Sequence, residues 1–426
     1  MAQQRTKQQS KPEQPVSKHM AKTNKWTVGL CALGAISLAG VAQAEEKQLS
    51  VAALTPTTLS GFVDTSAHWN LGTGNLDLPA YTPNGVSGGK KADGFNLDMV
   101  EITLGKAADT DAGKWSAGYN ATMVYGPDAV GYNPSIAGSM QDFALKDTYV
   151  ELRAPIGNGL DFKLGTYTEI LGYEVFEAGN NPNYTRSYGY EIEPTQMTGF
   201  LTSYQVSSVV SAQFGICDAW SAGVNARSFQ TTPGGTPMKA ESFKTYMGAV
   251  TLTAPKSAGF LEGSTLVMGA INGYDALNMV TKTSLYIGGT MNTPLKPLKV
   301  GAAYDYVMLG DNTIAGVRNN SGYQAAAAGY LLVQATEKLA LNTRVDYFTQ
   351  SGYLEAASVA AGTGLAKRAL GVTETLQYDL WKNVMTRAEF RWDHALDASG
   401  PYMTTPGPTT GRDNAFLLAL NVIYKF

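Results

Sequence analysis

Hydrophobicity in the segment NAFLLALNVIYKF, residues 414–426, follows a period of two from Phe416 onward. One parity carries the polar residues Asn421 and Lys425 among apolar ones, whereas the other parity is wholly apolar from Phe416 to Phe426. The residues of the wholly apolar parity are Phe416, Leu418, Leu420, Val422, Tyr424 and Phe426. Successive side chains of a strand point to opposite faces, so the segment is predicted to be a β-strand with one fully apolar face.

The same pattern predicts sixteen strands along the chain. They are expected near residues 58–70, 94–105, 113–125, 143–154, 160–171, 187–203, 207–218, 243–254, 264–274, 281–293, 298–309, 322–335, 339–350, 367–380, 384–396 and 414–426. Long and short connections alternate between them, as in an up-and-down antiparallel barrel with long loops at one rim and tight turns at the other. The predicted fold class is therefore all-β, a transmembrane antiparallel up-and-down β-barrel of about sixteen strands.

The two faces of several predicted strands differ in polarity. In MTRAEFRWDH (385–394), Phe390 and Trp392 share one parity, while four charged residues share the other. Such charges cannot pack in a dry core unless they are paired, so they are expected to face a wet lumen. Parity selects the following pore-lining candidates: Asp64, His68, Lys163, Glu169, Arg344, Asp346, Arg387, Glu389, Arg391 and Asp393.

One acidic residue does not fit the predicted alternation. Glu374 falls on the apolar parity that includes Val372 and Leu376, and a carboxylate facing lipid is destabilising. A bulge, a subunit interface or a different register would each account for it.

The first 44 residues have the features of an export signal. Lys22 and Lys25 precede an apolar run that ends in the small-residue tripeptide Ala42 to Ala44. We expect a leader and signal peptide at 1–44, cleaved after Ala44, a short periplasmic segment at 45–57 and a barrel at 58–426. Met20 could also begin an ordinary signal peptide, so the choice between Met1 and Met20 as the start stays open.

Composition excludes several classes of function. Removal of residues 1–44 leaves 26 basic and 34 acidic residues, a formal charge of −8, which disfavours nucleic acid as a partner. Cys217 is then the single cysteine, and the two remaining histidines, His68 and His394, show no ligand spacing. No metal, no cofactor and no catalytic residue is therefore predicted.

Two resemblances extend this interpretation. The segment 414–426 resembles the terminal strand of bacterial outer-membrane barrels, in which a final Phe and alternate apolar residues act as the assembly signal read by the barrel assembly machinery. The segments LSGFVDTSAHWN, LGYEVFEAGNNPNYTRSYGYEIEPTQMTG (171–199) and AEFRWDHALD resemble the OmpL-like beta-barrel porins. This resemblance implies an outer-membrane porin, embedded in lipid and with a homotrimer as one assembly, that passes small hydrophilic solutes.

The third long loop, residues 171–187, is the expected constriction. The resemblance to general porins implies that it folds into the lumen, with Glu174 and Glu177 near the narrowest point and Arg186 at its exit; an ordinary solvated loop is the alternative. These acids and the net charge predict a weak preference for cations. An outer-membrane hydrolase using His68 or His394, and an adhesin or structural anchor, are alternative functions.

Overall fold

A computed structural model gives the structure of the protein. It describes residues 57–72, 93–110, 113–132, 143–220, 223–227, 244–275, 280–314, 317–319, 321–351, 366–397, 400–402 and 411–426. The predicted signal peptide and almost all of the predicted periplasmic segment lie outside the described residues. Their assignment therefore stays a prediction.

Sixteen antiparallel strands of the described chain form a closed barrel, which confirms the predicted fold class. The strands are β1 (Thr58–Asn70), β2 (Gly94–Lys106), β3 (Ser116–Tyr125), β4 (Phe143–Ala154), β5 (Leu160–Thr168), β6 (Gln196–Gln205), β7 (Val210–Cys217), β8 (Thr245–Thr253), β9 (Thr265–Asp275), β10 (Val280–Asn292), β11 (Leu298–Leu309), β14 (Gly322–Gln334), β15 (Leu339–Gln350), β16 (Arg368–Trp381), β17 (Val384–Ala395) and β18 (Asn414–Lys425). Two further strands, β12 (Asn312–Ile314) and β13 (Val317–Asn319), form a hairpin between β11 and β14.

Helical structure in the described residues is confined to short segments. The helix α1 spans Tyr188–Ile192, and 3₁₀ turns occur at Pro127–Tyr132, Ala178–Asn180 and Lys256–Leu261. None of the described helices has the length and apolar character needed to cross a membrane.

The first and last strands pair with each other and close the barrel. At the end of this pairing, the Gly61 amide donates to the Phe426 carbonyl oxygen at 3.0 Å, and the Phe426 amide donates to the Gly61 carbonyl oxygen at 2.9 Å. A Cβ atom on Gly61 would lie 2.8 Å from the Phe426 ring and closer still to the Glu101 carbonyl oxygen. Glycine is therefore required at position 61, because a side chain there would clash with β2 and with the end of β18.

Strands such as β15 have an apolar outer face and a polar inner face. In β15, Leu341, Val345 and Tyr347 point outward and are exposed, whereas Arg344 and Asp346 point inward and are fully buried. This alternation follows from the period of two and is the arrangement expected of a barrel that meets lipid outside and polar groups inside.

Glu374 remains on the outer face. It pairs in regular register with Thr343 of β15 and Phe390 of β17, and the register shift in β16 lies farther along, between Asp379 and Trp381. The Thr343 hydroxyl donates a hydrogen bond of 2.6 Å to the Glu374 carboxylate. A bulge or a different register therefore does not account for Glu374.

The predicted strand at 187–203 is wrong over its first part. β6 begins at Gln196, and residues 188–192 form α1 instead. Tyr188, Tyr190 and Ile192 alternate with smaller or polar residues, which imitates a strand, but the Ser187 hydroxyl accepts a hydrogen bond from the Tyr190 amide and caps a helix. Side-chain capping and packing inside the barrel override the local alternation.

Candidate functional site: the lumen and the loop that crosses it

The loop between β5 and β6 lies inside the barrel. We call residues 169–195 the lumen loop. Nearly all of its side chains are buried, and they contact strands on most sides of the barrel interior. The physical reason is its composition, because Ile170, Leu171, Val175, Phe176 and Ile192 gain hydrophobic stabilisation only when they are removed from water.

One apolar cluster joins the lumen loop to the terminal strand. Phe176 and Ala178 pack with Leu417, Ala419 and Ile423, the inward-facing apolar residues of β18. This contact explains why β18 is largely apolar on both faces. Its outer face meets lipid, while its inner face meets the loop.

A second apolar cluster holds the helix of the lumen loop. Tyr188 and Ile192 pack with Val307 of β11 and Phe348 of β15. The Tyr188 and Phe348 rings stack with their centroids 5.5 Å apart. α1 therefore rests on the barrel wall through Tyr188 and Ile192.

Arg344 binds the lumen loop through charge and hydrogen bonds. Its guanidinium lies 2.8 Å from Glu174 and 3.3 Å from Asp346, and it donates to the Thr185 carbonyl oxygen at 2.7 Å and the Arg186 carbonyl oxygen at 3.0 Å. All these groups are buried, so the ion pairs are weakly screened. Arg344 thus fixes two separate stretches of the loop to β15.

The charged face of β17 holds the same loop. Arg391 donates to the Arg186 carbonyl oxygen at 2.6 Å and pairs with Asp393 at 2.8 Å. Glu389 accepts hydrogen bonds from the Tyr184 amide at 2.6 Å and the Thr185 amide at 2.9 Å. The charges on this strand therefore satisfy backbone groups of the loop that would otherwise be buried without partners.

Two more predicted lining residues, Arg387 and Asp346, also bind the backbone of the lumen loop. Arg387 donates to the Ala178 carbonyl oxygen at 2.9 Å, and Asp346 accepts from the Tyr188 amide at 2.9 Å. All six predicted charges on β15 and β17 thus lie on the inner face, but they are buried against the loop. Sequence parity indicates which way they point and contains no information about the chain segment that covers them.

The inner faces of β1 and β2 contact the loop through Tyr184. The His68 Nε2 atom is 2.7 Å from the Tyr184 hydroxyl oxygen, which donates to Asp98 at 3.0 Å. Asp64, the other predicted lining residue of β1, accepts a hydrogen bond of 2.5 Å from Asn421. The two predicted lining residues of β1, Asp64 and His68, are fully buried.

Lys163 and Glu169 differ in their surroundings. The Lys163 ammonium group lies 4.6 Å from the centre of the Tyr149 ring on the inner face of the barrel. Glu169 lies just beyond the end of β5, in the lumen loop, where burial raises the pKa of its carboxyl well above the ordinary value. Its Oε2 atom has no hydrogen-bond donor among the described residues.

The three predicted constriction residues lie in the lumen but are buried and paired. Glu174 accepts from Arg344 and from the Ser187 amide, and Glu177 forms a salt bridge with Lys146 of β4. The Arg186 guanidinium donates to the Tyr184 carbonyl oxygen at 2.6 Å and to that of Phe176. These charges stabilise the folded loop rather than meeting water in a channel.

Glu191 is a residue that the sequence pattern did not select. The structure describes residues 169–195 in full, and among their charged side chains Glu191 is the exposed one. It belongs to α1, next to the buried Ile192 in the sequence. Its position could not be predicted without knowing that this segment is helical.

The described residues contain no group of three or more His, Cys, Asp or Glu side chains arranged to hold a metal ion. His68 and His394 lie apart: His68 contacts Tyr184 inside the barrel, and His394 Nδ1 is 3.0 Å from Asn414 Oδ1 on the outer face.

Comparison with known proteins identifies the family. The family model described as "Putative beta-barrel porin-2, OmpL-like" matches residues 56–426. The chain belongs to this porin family. It is therefore a porin of the bacterial outer membrane, and the resemblance drawn from its sequence segments is confirmed.

Solved structures share the fold of this porin at low sequence identity. The outer membrane channel DcaP of Acinetobacter baumannii has a TM-score of 0.58 at 12% identity, covering 89% of this chain and 99% of that one. The anion-selective porin from Comamonas acidovorans has 0.54 at 13%, covering 87% and 99%. The trimer form of in-vitro folded OmpT of Vibrio cholerae has 0.51 at 11%, covering 87% and 99%.

A search of curated proteins found none that matches this porin.

The pairing of Arg344 predicts a large effect on stability. Arg344→Met leaves Glu174 and Asp346 buried without their cation and is expected to lower the free energy of unfolding by about 3–5 kcal/mol. Arg227→Met, which removes an exposed pair with Asp218, should cost no more than about 1 kcal/mol. Urea unfolding of the refolded proteins measures both. Equal costs would mean that Arg344 does not anchor the loop.

Proposed function

We propose that this porin passes small hydrophilic solutes and ions by passive diffusion with a weak preference for cations. The observation that carries the cation preference is Glu191, the exposed acid of α1 in the loop that lies inside the barrel. An ion passing within a Debye length, about 8 Å at physiological salt, would be influenced by this carboxylate. The paired acids Glu174 and Glu177 would contribute much less.

Two features support a weak rather than a strong preference. Desolvation inside the barrel raises the pKa of the Glu191 carboxyl to about 7, so this acid is only partly ionised at neutral pH, and the positive charges of Arg391 and Arg186 oppose its field. Arg186 is also held over the Tyr190 ring, with 5.6 Å between its guanidinium carbon and the ring centre. The anion-selective porin from Comamonas acidovorans shares the fold alone at 13% identity, so its selectivity carries no weight here.

A hydrolase is a poorer proposal. A catalytic histidine must hold a nucleophile within hydrogen-bond reach, but His394 contacts the side-chain amide of Asn414 and His68 contacts the buried Tyr184. An adhesin or structural anchor would need no exposed charge on the lumen loop. Conductance separates these functions, because a diffusion porin conducts and the alternatives do not.

We propose a homotrimer in which the outer faces of β15 and β16 contact a neighbouring copy. The outward Glu374 carboxylate supports this arrangement, since protein donors at an interface would stabilise it more than hydrocarbon does. The trimer form of Vibrio cholerae OmpT offers a precedent within the fold.

We also propose that the apolar residues of β18, with Phe426 at the end, form the signal that the barrel assembly machinery recognises. Leu418, Leu420, Val422, Tyr424 and Phe426 all point outward and are exposed, so they are available to a partner before lipid surrounds them.

Neutralising Glu191 is expected to reduce the cation preference. In planar bilayers with a salt gradient, Glu191→Gln should shift the reversal potential toward anions, and the shift should shrink as salt screens the charge. Glu337→Gln, a matched change in an exposed turn between β14 and β15, should leave the potential unchanged. Identical potentials for wild type and Glu191→Gln would exclude Glu191 from the ion path, and a wild type without conductance would contradict the diffusion porin.

The trimer predicts protection of one outer face. A cysteine placed by Glu374→Cys should react more slowly with a membrane-soluble maleimide than one placed by Phe200→Cys on β6, at the opposite side of the barrel. Native Cys217 is buried and gives the background rate. Heating to dissociate the subunits should abolish the difference. Equal rates before heating would argue against an interface at β15 and β16.

The assembly signal predicts a difference between cells and purified components. Phe426→Leu keeps the two backbone hydrogen bonds to Gly61 but removes the ring. We expect less heat-modifiable barrel in the outer membrane of cells, with unchanged refolding of the purified protein into detergent. Normal assembly in cells would reject the ring as part of the signal.

A further inference from the structure

Two buried carboxyl groups meet where the lumen loop returns to the barrel wall. Glu193 is near the end of the loop, and Asp305 points inward from the middle of β11. Their side chains lie within hydrogen-bonding reach of each other. The described residues provide no salt bridge to either carboxyl, in contrast to Glu174 and Glu177 of the same loop.

The backbone of the loop encloses both carboxyl groups. A Cβ atom on Gly172 would lie 2.5 Å from Glu193 Oε2, and one on Gly189 would lie 2.5 Å from Asp305 Oδ2. Gly172 also has φ of +109°, a conformation that other residues rarely adopt. Because neither glycine has a side chain, the backbone at residues 172 and 189 can approach the two carboxyl groups this closely.

The groups around the pair are mainly acidic or neutral. The lumen-loop carboxyls Glu169 and Glu174 disfavour ionisation of the pair, and the Tyr286 side chain faces the pair from β10. Arg344 is held in the same region by Glu174 and by Asp346. The field of the surroundings therefore does not favour two ionised carboxylates.

Two carboxyl groups in contact are stable when they share one proton, because the protonated group donates a hydrogen bond to the ionised one. Burial, and then the neighbouring acid Asp305, raise the pKa of Glu193 well above its ordinary value. Once both groups ionise, like charges repel at short range in a poorly solvated site.

We propose that Glu193 and Asp305 form a proton-dependent latch. While the pair holds a proton, it fixes the returning arm of the lumen loop, residues 188–195, to β11. When both carboxyls ionise, this arm is released. The released arm would include α1 and its exposed Glu191. The consequence for transport rests on the proposed diffusion of ions past this loop.

The direction of the pH effect follows from the sign of the shift. A carboxyl whose pKa is raised by folding contributes its stabilisation fully at pH values below the ordinary pKa of Glu. That contribution is lost as the pH rises through the raised value. The latch is therefore closed in acid and opens toward alkaline pH.

Single-channel recording tests the effect on transport. In wild type, transitions between conductance substates should become more frequent as the pH rises from 5 to 9. Each pH unit changes the ratio of ionised to protonated pairs by up to about tenfold, which sets the upper limit of the increase. Glu193→Gln should abolish the pH dependence, because the amide donates to Asp305 at every pH, and Asp305→Asn should do the same.

Glu337→Gln, a matched substitution in an exposed turn, should keep the wild-type pH response. Heat-modifiable mobility on gels checks that every variant forms a barrel. A wild type whose substate transitions do not change with pH would overturn the latch, as would a Glu193→Gln variant with the wild-type pH response.

Hydrogen exchange tests the latch without relying on conduction. At pH 9, the amides of residues 188–193 and of Thr195 should exchange faster in wild type than in Glu193→Gln, and at pH 5 the two proteins should match. Comparison at one pH removes the intrinsic dependence of exchange on pH. Equal exchange at pH 9 would overturn the latch, whereas faster exchange in a protein that does not conduct would support the latch and reject the proposed diffusion.

Discussion

Hydrocarbon offers no hydrogen-bond partner to a peptide group, and this constraint determines the architecture of the porin. Each strand must pair on both sides, so β1 has to meet β18, and the hydrogen bonds between Gly61 and Phe426 complete that seam. Closure of sixteen strands also creates an interior too wide for the wall's own side chains to fill. The lumen loop occupies much of that space.

Two kinds of interaction hold the loop inside. Apolar residues such as Phe176 and Ile192 supply hydrophobic stabilisation, while Arg344, Arg391 and Glu389 satisfy its backbone groups. Buried charges carry a large desolvation penalty unless each is paired and hydrogen-bonded, so the network specifies one position of the loop more than it adds stability. Glu193 and Asp305 depart from this rule, since a shared proton takes the place of a cation.

The barrel could be predicted from sequence because a strand between lipid and lumen has a local signature. β15 was predicted at 339–350 and is found at Leu339–Gln350. The interior could not be predicted to the same depth, because it depends on contacts distant in sequence. Glu174 pairs with a residue 170 positions away, and Glu191 lies in a segment, residues 188–192, that folds into a helix. Alternation alone cannot distinguish a strand from such a segment.

The apolar inner face of β18 has a consequence for the order of folding. Leu417, Ala419 and Ile423 form one side of the cluster that receives Phe176, although β18 is the last strand of the sequence. The lumen loop, synthesised far earlier, therefore lacks this part of its hydrophobic binding surface until the final strand is in place. Final packing of the lumen loop therefore has to follow closure of the barrel. In an unfinished barrel the loop would be incompletely packed, and β18 would expose apolar residues on both faces.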